Sequence, residues 1–219
     1  MDADPQANAT SAVGATKDDE GGLYEALVDE RPLADAVRLT EVPNLAVIPT
    51  TPALAGAEVE LVSVMAREFR MKRALDALRG SFDLILVDCP PSLGLLTLNA
   101  LVAGAEMLIP IQAEYYALEG LGQLLATVDM VRAHLNPELA VSTIVLTMYD
   151  ARTRLAAGVA TEVREHFGDQ VLKTAIPRSV RVSEAPSYGQ TVMTYDPGSP
   201  GALSYLEAAR EIVVRGSLS

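Results

Sequence analysis

The sequence predicts an α/β fold: a doubly wound, mainly parallel sheet with helices on both faces. The first observation is a series of mainly apolar segments, which indicate strands buried on both faces. They lie at residues 82–87, 107–111, 141–147 and 171–176. The second is that helical segments alternate with these strands, as right-handed crossover connections require. The third is size, since 219 residues that are 49% hydrophobic suffice for one full core. We therefore expect residues 1–219 to form a single domain.

The remaining elements follow from apolar spacing and from turn residues. Before the regular region, the spacing predicts a short helix near residues 23–27, a strand at 45–48, and helical residues 54–78 with a break in the middle. Later helices are predicted at residues 93–103, 115–135, 153–167 and 200–214. Asn136-Pro137 and Gly168 act as helix stops. Residues 14–22 lack an apolar period and are expected to be the least ordered stretch.

The composition excludes several functional classes of protein. The formal net charge is −12, which argues against a general nucleic-acid binder but leaves room for a local basic patch. The single cysteine, Cys89, excludes a disulfide framework and a metal site built on several thiolates. A reducing cytoplasm is the natural setting. We expect no membrane span, because no run of 18 apolar residues occurs.

The strand predicted at residues 82–87 ends in Asp88, which is followed by a Cys-Pro-Pro-Ser turn. Ligands of open α/β sheets bind at the carboxyl ends of the strands. A carboxylate at such a strand tip can hold a magnesium-bound water, as in the Walker B arrangement. The alternative is that Asp88 caps the next helix. The two prolines stiffen the turn.

A second acidic cluster opens the sequence. Asp2 and Asp4 point the same way if the chain is extended there, and Pro5 stiffens the residues after it. Beside a magnesium-bound phosphate, one carboxylate could orient water while the other helps to position the metal. The alternative is a frayed polar terminus.

Six segments, taken in order, resemble the ParA/Soj family of chromosome- and plasmid-partition ATPases. They read DADPQANATS, IPTTPALAGAEVEL, DLILVDCPPSLGLLTLNAL, IPIQAEYYALEGLGQLL, VLTMYDARTRL and IPRSVRVSEAPSYGQTV. The resemblance runs from Met1 to about Ile212. It implies a P-loop ATPase that binds ATP with Mg²⁺ and forms a homodimer around two nucleotides. It also implies non-specific DNA binding, a ParB-type partner that stimulates hydrolysis, and a cytoplasmic, nucleoid-associated location.

The resemblance assigns roles residue by residue. Asp4 corresponds to the water-orienting residue, Asp2 to an outer-shell metal residue and Asp88 to the Walker B aspartate. The segments expected to flank adenine are Thr147 with Met148 and Pro177 with Arg178. The arginines expected on a DNA-facing surface are Arg152 and Arg181, with Arg154 and Arg178 as weaker candidates. For each arginine the alternative is a solvated surface charge.

One family feature is missing from these residues. The phosphate loop of the family reads KGGxGKT[ST], yet none of Lys17, Lys72 and Lys173 follows a glycine. We therefore expect this chain to lack the first strand, the P-loop and the first helix of the fold, and to hydrolyse little ATP alone. Unpaired strand edges and an exposed apolar trench should result. Either Met1 is an internal residue of a longer protein, or the short chain is an inactive regulatory or binding module.

Two related classes are disfavoured. A MinD-like membrane-positioning ATPase needs a basic amphipathic C-terminal helix, and residues 201–219 are not strongly basic. Iron–sulfur relatives need paired cysteines, whereas this chain has one.

Overall fold

The structure, a computed structural model, describes residues 1–16, 22–114 and 117–216. Part of the stretch expected to be least ordered, residues 17–21, lies outside the described residues, as do residues 115 and 116 of the predicted long helix. The helices are α1 (Asn8–Ala12), α2 (Leu23–Val28), α3 (Leu54–Glu60), α4 (Arg70–Asp76), α5 (Leu95–Ala103), α6 (Ala117–His134), α7 (Arg154–Phe167), α8 (Val180–Glu184), α9 (Val192–Tyr195) and α10 (Pro200–Arg215). The strands are β1 (Arg38–Leu39), β2 (Ala46–Val47), β3 (Glu106–Gln112) and β4 (Ala140–Thr147).

The chain divides into two compact units, each with its own core. The first unit comprises Met1–Gly104 and Ala185–Thr191. Its core is built from apolar side chains of α2 to α5. The most deeply buried large ones are Leu23, Leu27, Leu33, Leu54, Leu61, Met71 and Leu96. The broken helix predicted at residues 54–78 is confirmed as α3 and α4, separated by short 3₁₀ turns.

Residues 1–3 of this unit lie between two extended segments. On one side the amide of Asp88 donates to the Met1 carbonyl at 2.9 Å, and the amide of Ala3 donates to the Asp88 carbonyl at 2.7 Å. On the other side the amide of Asp2 donates to the Ile48 carbonyl at 3.0 Å. This pairing fixes where the side chains of Asp2 and Asp88 leave the backbone.

The strand predicted at residues 82–87 is not formed as a regular strand. Its pairing within the described residues is confined to its last part, where Leu86 and Asp88 bond to the segment that begins at Met1. A strand is stabilised by ladders to its neighbours, and residues 82–85 have no such ladder in the described part of the chain. The apolar side chains are consequently exposed, with Leu86 63% accessible. The absence of a first strand, from which unpaired edges were expected, stays a prediction.

The second unit comprises Ala105–Glu184 and Val192–Ser219, of which residues 217–219 are not described. Strands β3 and β4 pair in parallel from Glu106↔Ala140 to Gln112↔Thr147, with a register shift after Met107. Helix α7 covers them through its buried positions Ala156, Val159, Ala160 and Val163. Parallel strands with crossover helices confirm the predicted α/β class.

The strand predicted at residues 171–176 is reduced to isolated bridges. Leu172 and Ile176 donate backbone hydrogen bonds to the β4 carbonyls of Ile144 and Leu146, each at 2.8 Å. Between them the chain turns away, because the amides of Lys173 and Thr174 donate instead to the carboxylate of Glu211, at 2.8 and 3.0 Å. A side chain of α10 therefore takes the place of a strand partner.

Capping residues set the bounds of the long helices. The Thr153 hydroxyl accepts from the amide of Ala156 at the start of α7, and the Ser199 hydroxyl accepts from the amide of Ala202 at the start of α10. Helix α10 ends at Gly216, whose φ of 69° places it in the left-handed region. Within the described ranges, no helix combines the length and apolarity that crossing a membrane requires.

Candidate functional site

Asp2 is fully buried and anchors the chain around it. Its Oδ2 accepts from the backbone amide and from the hydroxyl of Thr10, both at 2.7 Å, and its Oδ1 accepts from the amide of Asp4 at 3.1 Å. Thr10 lies in the first turn of α1, where Ala7 at the N-cap offers no side-chain acceptor. Asp2 thus satisfies the helix amide that a capping side chain would otherwise bind.

Thr10 also connects the Asp2 segment and helix α1 to a third segment, which contains Thr50. Its hydroxyl, while donating to Asp2, accepts from the backbone amide of Thr50 at 3.1 Å. Thr10 and Thr50 are both fully buried. The sequence interpretation gave them no role, because a threonine eight residues after an aspartate has no local signature.

Asp4 is half-buried and lies in a tight turn. Its carbonyl accepts from the amide of Ala7 at 2.8 Å, and its Oδ1 accepts from the amide of Gln6 at 3.0 Å. Ala7 has a φ of 55°, a left-handed conformation that costs a non-glycine residue about 1–2 kcal/mol. Within the described residues the Oδ2 atom of Asp4 has no hydrogen-bond partner. This oxygen can therefore accept a hydrogen bond from water.

Asp88 lies beside both carboxylates at the end of its extended segment. Partial burial raises the pKa of Asp88, and the negative charges of Asp2 and Asp4 raise it further. A cation placed here would relieve that repulsion. The neighbouring Cys89 thiol has its pKa raised to about 11, mainly by burial and then by Asp88, so it stays protonated and unreactive near neutral pH.

The three aspartates do not form a complete metal site. No group of three or more His, Cys, Asp or Glu side chains in the described ranges is arranged to hold a metal ion. Mg²⁺ commonly takes only one or two carboxylates from a protein, with waters and phosphate oxygens filling the other positions. Asp88, the most exposed of the three carboxylates, fits that partial donor set.

The residues expected to flank adenine meet in the second unit. The amide of Tyr149 donates to the Ile176 carbonyl at 3.0 Å, and the amide of Arg178 donates to the Tyr149 carbonyl at 3.1 Å. These bonds pair Tyr149 with Pro177 just after the end of β4, and Met148 is the residue that precedes Tyr149. Met148 has a φ of 52°, which is unusual for a bulky residue and is found most often where a site requires it.

Thr147 and Arg178 are held by side-chain contacts in the same region. The Thr147 hydroxyl donates to the Ile111 carbonyl at 3.2 Å, which joins the ends of β4 and β3. The Arg178 guanidinium pairs with the Glu114 carboxylate at 3.0 Å. The structure therefore brings Thr147, Met148, Pro177 and Arg178 together at the end of β4.

The two arginines expected on a DNA-facing surface are exposed, but both are paired. Arg152 is 89% accessible and binds the Asp150 carboxylate through two hydrogen bonds. Arg181 lies on α8 and pairs with Glu184 at 3.2 Å and with Asp196 at 3.3 Å. Sequence reasoning missed these acidic partners, although the i,i+3 spacing of Arg181 and Glu184 is a recognisable pair.

Comparisons with known proteins identify the family. A family model described as an AAA domain matches residues 1–141. The sporulation initiation inhibitor protein Soj of Bacillus subtilis is 54% identical over 217 residues, which cover 99% of this chain and 86% of that protein. The chain belongs to the ParA/Soj family. The chromosome partitioning protein ParA of Myxococcus xanthus is 50% identical over 216 residues, covering 98% of this chain and 76% of that protein.

A solved structure extends the likeness to three dimensions. A Mycobacterium smegmatis protein, described as cobyrinic acid a,c-diamide synthase with bound ADP and magnesium, superposes with a TM-score of 0.80 at 34% identity. The match covers 95% of this chain and 78% of that one. The P-loop NTPase type of fold predicted from the sequence is thereby confirmed. The higher identity to Soj and ParA places this ParA/Soj chain with the chromosome-partitioning ATPases.

Proposed function

We propose that this ParA/Soj chain acts in an ATP-dependent DNA-partition ATPase that dimerises with ATP and binds DNA non-specifically. A ParB-type partner stimulates its hydrolysis, and the protein works in the cytoplasm on the nucleoid. The observation that carries the proposal is the convergence of Asp2, Asp4 and Asp88 on adjoining extended segments. The names of its relatives, Soj and ParA, supply the biological setting.

Each of the three aspartates would have a different role in the site. When bound, Mg²⁺ neutralises phosphate charge and fixes the phosphates for attack by water. Asp88 would hold the magnesium-bound water, since it is the most exposed of the three carboxylates. Asp4 would accept a hydrogen bond from the attacking water through its unpartnered Oδ2. Asp2, whose two oxygens accept from Thr10 and from the amide of Asp4, would lie in the metal's outer shell and hold Asp4 in place.

The end of β4 supplies a base site. Met148 and Pro177 present apolar side chains from two backbone segments tied by the Tyr149 hydrogen bonds. We propose that Thr147, Met148, Pro177 and Arg178, which lie on these two segments, flank the adenine ring of bound ATP. Apolar walls with a few fixed backbone polar groups are typical of sites for small molecules.

The phosphate cradle is not supplied by these 219 residues, because none of their three lysines follows a glycine as the family loop requires. We infer that hydrolysis needs a segment carrying the family loop KGGxGKT[ST]. A second candidate function, an inactive regulatory or binding module, is favoured by the same absence and by the exposed apolar side chains of Phe82, Leu84, Ile85 and Leu86. The two proposals make opposite predictions for a chain that regains the loop.

The deciding experiment compares the 219-residue chain with an extended chain, in which these residues follow a segment that carries the family loop. ATP hydrolysis and DNA binding with and without ATP are measured for both. We expect the extended chain, but not the 219-residue chain, to hydrolyse ATP and to bind DNA in an ATP-dependent way. DNA binding that is equal with and without ATP would refute the switch, and an extended chain without hydrolysis would favour the inactive module.

A matched pair of variants then tests the water-orienting role. In the extended chain, Asp4→Ala should lower hydrolysis by roughly 10²-fold or more while ATP still binds, because the attacking water loses its acceptor. Asp83→Ala removes an exposed carboxylate from the segment that leads to Asp88 and should leave hydrolysis unchanged. Hydrolysis that survives Asp4→Ala would exclude this role.

A further inference from the structure

The turn at residues 89–93 connects Asp88 to helix α5 and has few hydrogen bonds of its own. Pro90 and Pro91 have no amide hydrogen to donate. In the described part of the chain, no backbone amide of residues 89–93 donates to a backbone carbonyl. Before Asp88, residues 82–85 have no strand ladder among the described residues. Apart from the pairing of Asp88 with residues 1–3, the position of the turn therefore depends on contacts made by its carbonyl groups.

Thr97 makes such a contact from inside α5. Its side chain is buried, with 5% of the residue accessible. Its hydroxyl donates to the Ser92 carbonyl at 2.7 Å and lies 3.4 Å from the Pro90 carbonyl. A helical threonine commonly bonds the carbonyl four residues earlier in its own helix. Thr97 instead bonds two carbonyls of the turn, so its hydroxyl ties the turn to α5.

Helix α5 is itself fixed to two other helices of the first unit. Asn99 of α5 is fully buried, and its Oδ1 accepts from the amide of Met71 in α4 at 3.1 Å. At the start of α5, the amide of Leu96 donates to the Glu58 carboxylate of α3 at 3.5 Å. Because α5 is held on both sides, a hydrogen bond from Thr97 fixes the turn relative to the core of this unit.

Packing alone does not explain a threonine at position 97. Valine has the same branched shape. A buried hydroxyl costs free energy unless it is hydrogen-bonded, so a core position without a polar partner favours the apolar residue. The partners that the Thr97 hydroxyl has among the described residues are both carbonyls of the turn. The hydroxyl is therefore explained by the turn and not by the core.

We propose that Thr97 is a positioning residue for the magnesium site. By holding the carbonyls of Pro90 and Ser92, its hydroxyl keeps the turn against α5 and fixes where the Asp88 carboxylate meets a magnesium-bound water. The inference rests on the proposed function for the role of Asp88. Without the hydroxyl the chain still folds, because water can bind the carbonyls of a displaced turn, but Asp88 is held less firmly.

The first test needs neither nucleotide nor metal and uses the 219-residue chain. Cys89 lies in the turn, is half-buried and is the single cysteine of the sequence, so its thiol reports on opening of the turn. The rate of its reaction with an aromatic disulfide reagent is measured for three variants. Thr97→Val removes the hydroxyl, Thr97→Ser retains it, and Thr161→Val removes an exposed hydroxyl that bonds only within α7.

Thr97→Val should raise the reaction rate of Cys89 roughly two- to tenfold, as expected when one hydrogen bond is lost. Thr97→Ser and Thr161→Val should stay within about twofold of the unsubstituted chain. Circular dichroism and urea unfolding check that Thr97→Val folds. An unchanged rate in Thr97→Val would refute the tie. Equal increases in Thr97→Val and Thr97→Ser would attribute the opening to lost packing and refute the role of the hydroxyl.

The second test measures the magnesium dependence of ATP hydrolysis by the extended chain. Thr97→Val should raise the Mg²⁺ concentration that gives half-maximal hydrolysis by about tenfold, the scale typical of residues that orient a metal ligand. Affinity for ATP without Mg²⁺ should stay the same, and Thr97→Ser should restore the magnesium dependence. A Thr97→Val variant with a lower maximal rate but the same magnesium dependence would overturn the proposal, because the hydroxyl would then serve another step.

The two tests separate failure of this inference from failure of the proposed function. An extended chain that hydrolyses no ATP would refute the proposed function, and with it the magnesium role of Thr97, even if Cys89 reacts faster in Thr97→Val. Normal hydrolysis together with an unchanged Cys89 rate in Thr97→Val would refute the positioning role alone. Both changes together, with rescue by Thr97→Ser, are the result that we expect.

Discussion

The guanidinium of Arg152 forms a bidentate pair with the carboxylate of Asp150 through two side-chain hydrogen bonds. They run from Nε to Oδ1 at 2.9 Å and from Nη2 to Oδ2 at 2.8 Å. The backbone amide of Arg152 also donates to Oδ1, at 3.0 Å. Arg181 is similarly engaged by Glu184 and Asp196. The arginines proposed to contact DNA are thus oriented by acids that also offset their charge.

Arg152→Ala should weaken DNA binding by the extended chain in the presence of ATP. If Arg152 contacts a phosphate, its loss should lower the slope of log affinity against log salt by about one unit. Fluorescence anisotropy over a salt series measures both quantities. Arg210→Ala is the matched control, because Arg210 is also exposed and paired with a nearby acid, Glu207. An equal change in both variants would mean that only net charge matters.

Asp150→Asn should have the opposite effect and strengthen DNA binding a few-fold. Asparagine keeps an acceptor oxygen for Arg152 but removes the negative charge that repels phosphate. The double variant with Arg152→Ala should cancel the gain, which the same anisotropy assay will show. A gain that persists without Arg152 would mean that Asp150 acts on DNA directly.

The Arg152–Asp150 pair should also be insensitive to pH in the physiological range. The hydrogen bonds from the Arg152 side chain and backbone lower the pKa of Asp150 to about 2. A carboxylate with a lowered pKa contributes its stabilisation above its unfolded pKa of about 3.9, and loses it as the pH falls through the folded value. Between pH 5 and 8 this pair therefore contributes no pH dependence to DNA binding, so any observed dependence has another source.

Asp2→Ala should destabilise the first unit strongly. It leaves the amide and the hydroxyl of Thr10 without their acceptor inside the core, and each unsatisfied buried group costs about 1–3 kcal/mol. We expect a loss of about 2–5 kcal/mol in the free energy of unfolding, measured with urea. Asp2→Asn retains the shape and some hydrogen bonds and should lose less. Asp83→Ala, at an exposed site, should change the stability by less than about 0.5 kcal/mol.

Glu211 should make the free energy of unfolding of the second unit depend on pH in the acidic range. Burial raises the pKa of Glu211, but the amides of Lys173 and Thr174 and the charge of Arg215 outweigh burial, so the net pKa is lowered. The stabilisation is therefore present above the unfolded pKa of about 4.3 and fades as the pH falls below it. Glu211→Gln should cost about 1–3 kcal/mol at pH 7, because hydrogen bonds to a charged acceptor are lost. The difference from wild type should shrink by pH 3 in urea titrations; a constant difference would contradict the linkage.

The features predicted well from the sequence are those with local causes. Thr153 and Gly168 bound α7 because a cap and a left-handed stop act within one turn. Asp88 was singled out because a strand end has a recognisable pattern, whereas the roles of Asp2 and Asp4 came from the resemblance to the ParA/Soj family and stay predictions. The bonds of Thr10 with Asp2 and Thr50 join positions up to 40 residues apart, and no local pattern encodes them. Glu211 interrupts the predicted strand at residues 171–176 from a distant helix for the same reason.

Apolar periodicity also overestimates strand formation at residues 82–85, which have no ladder partner among the described residues, and this leads to a last prediction. Leu86 is 63% accessible on an extended segment with one paired end, and such edges promote association. Leu86→Lys should reduce self-association of the 219-residue chain, because a charged side chain on an edge opposes further pairing. Leu39→Lys is the matched control, since Leu39 is 90% accessible but lies in a two-residue strand. Light scattering over a concentration series measures association; equal improvement by both variants would mean that general solubility, and not the edge at residues 82–87, is the cause.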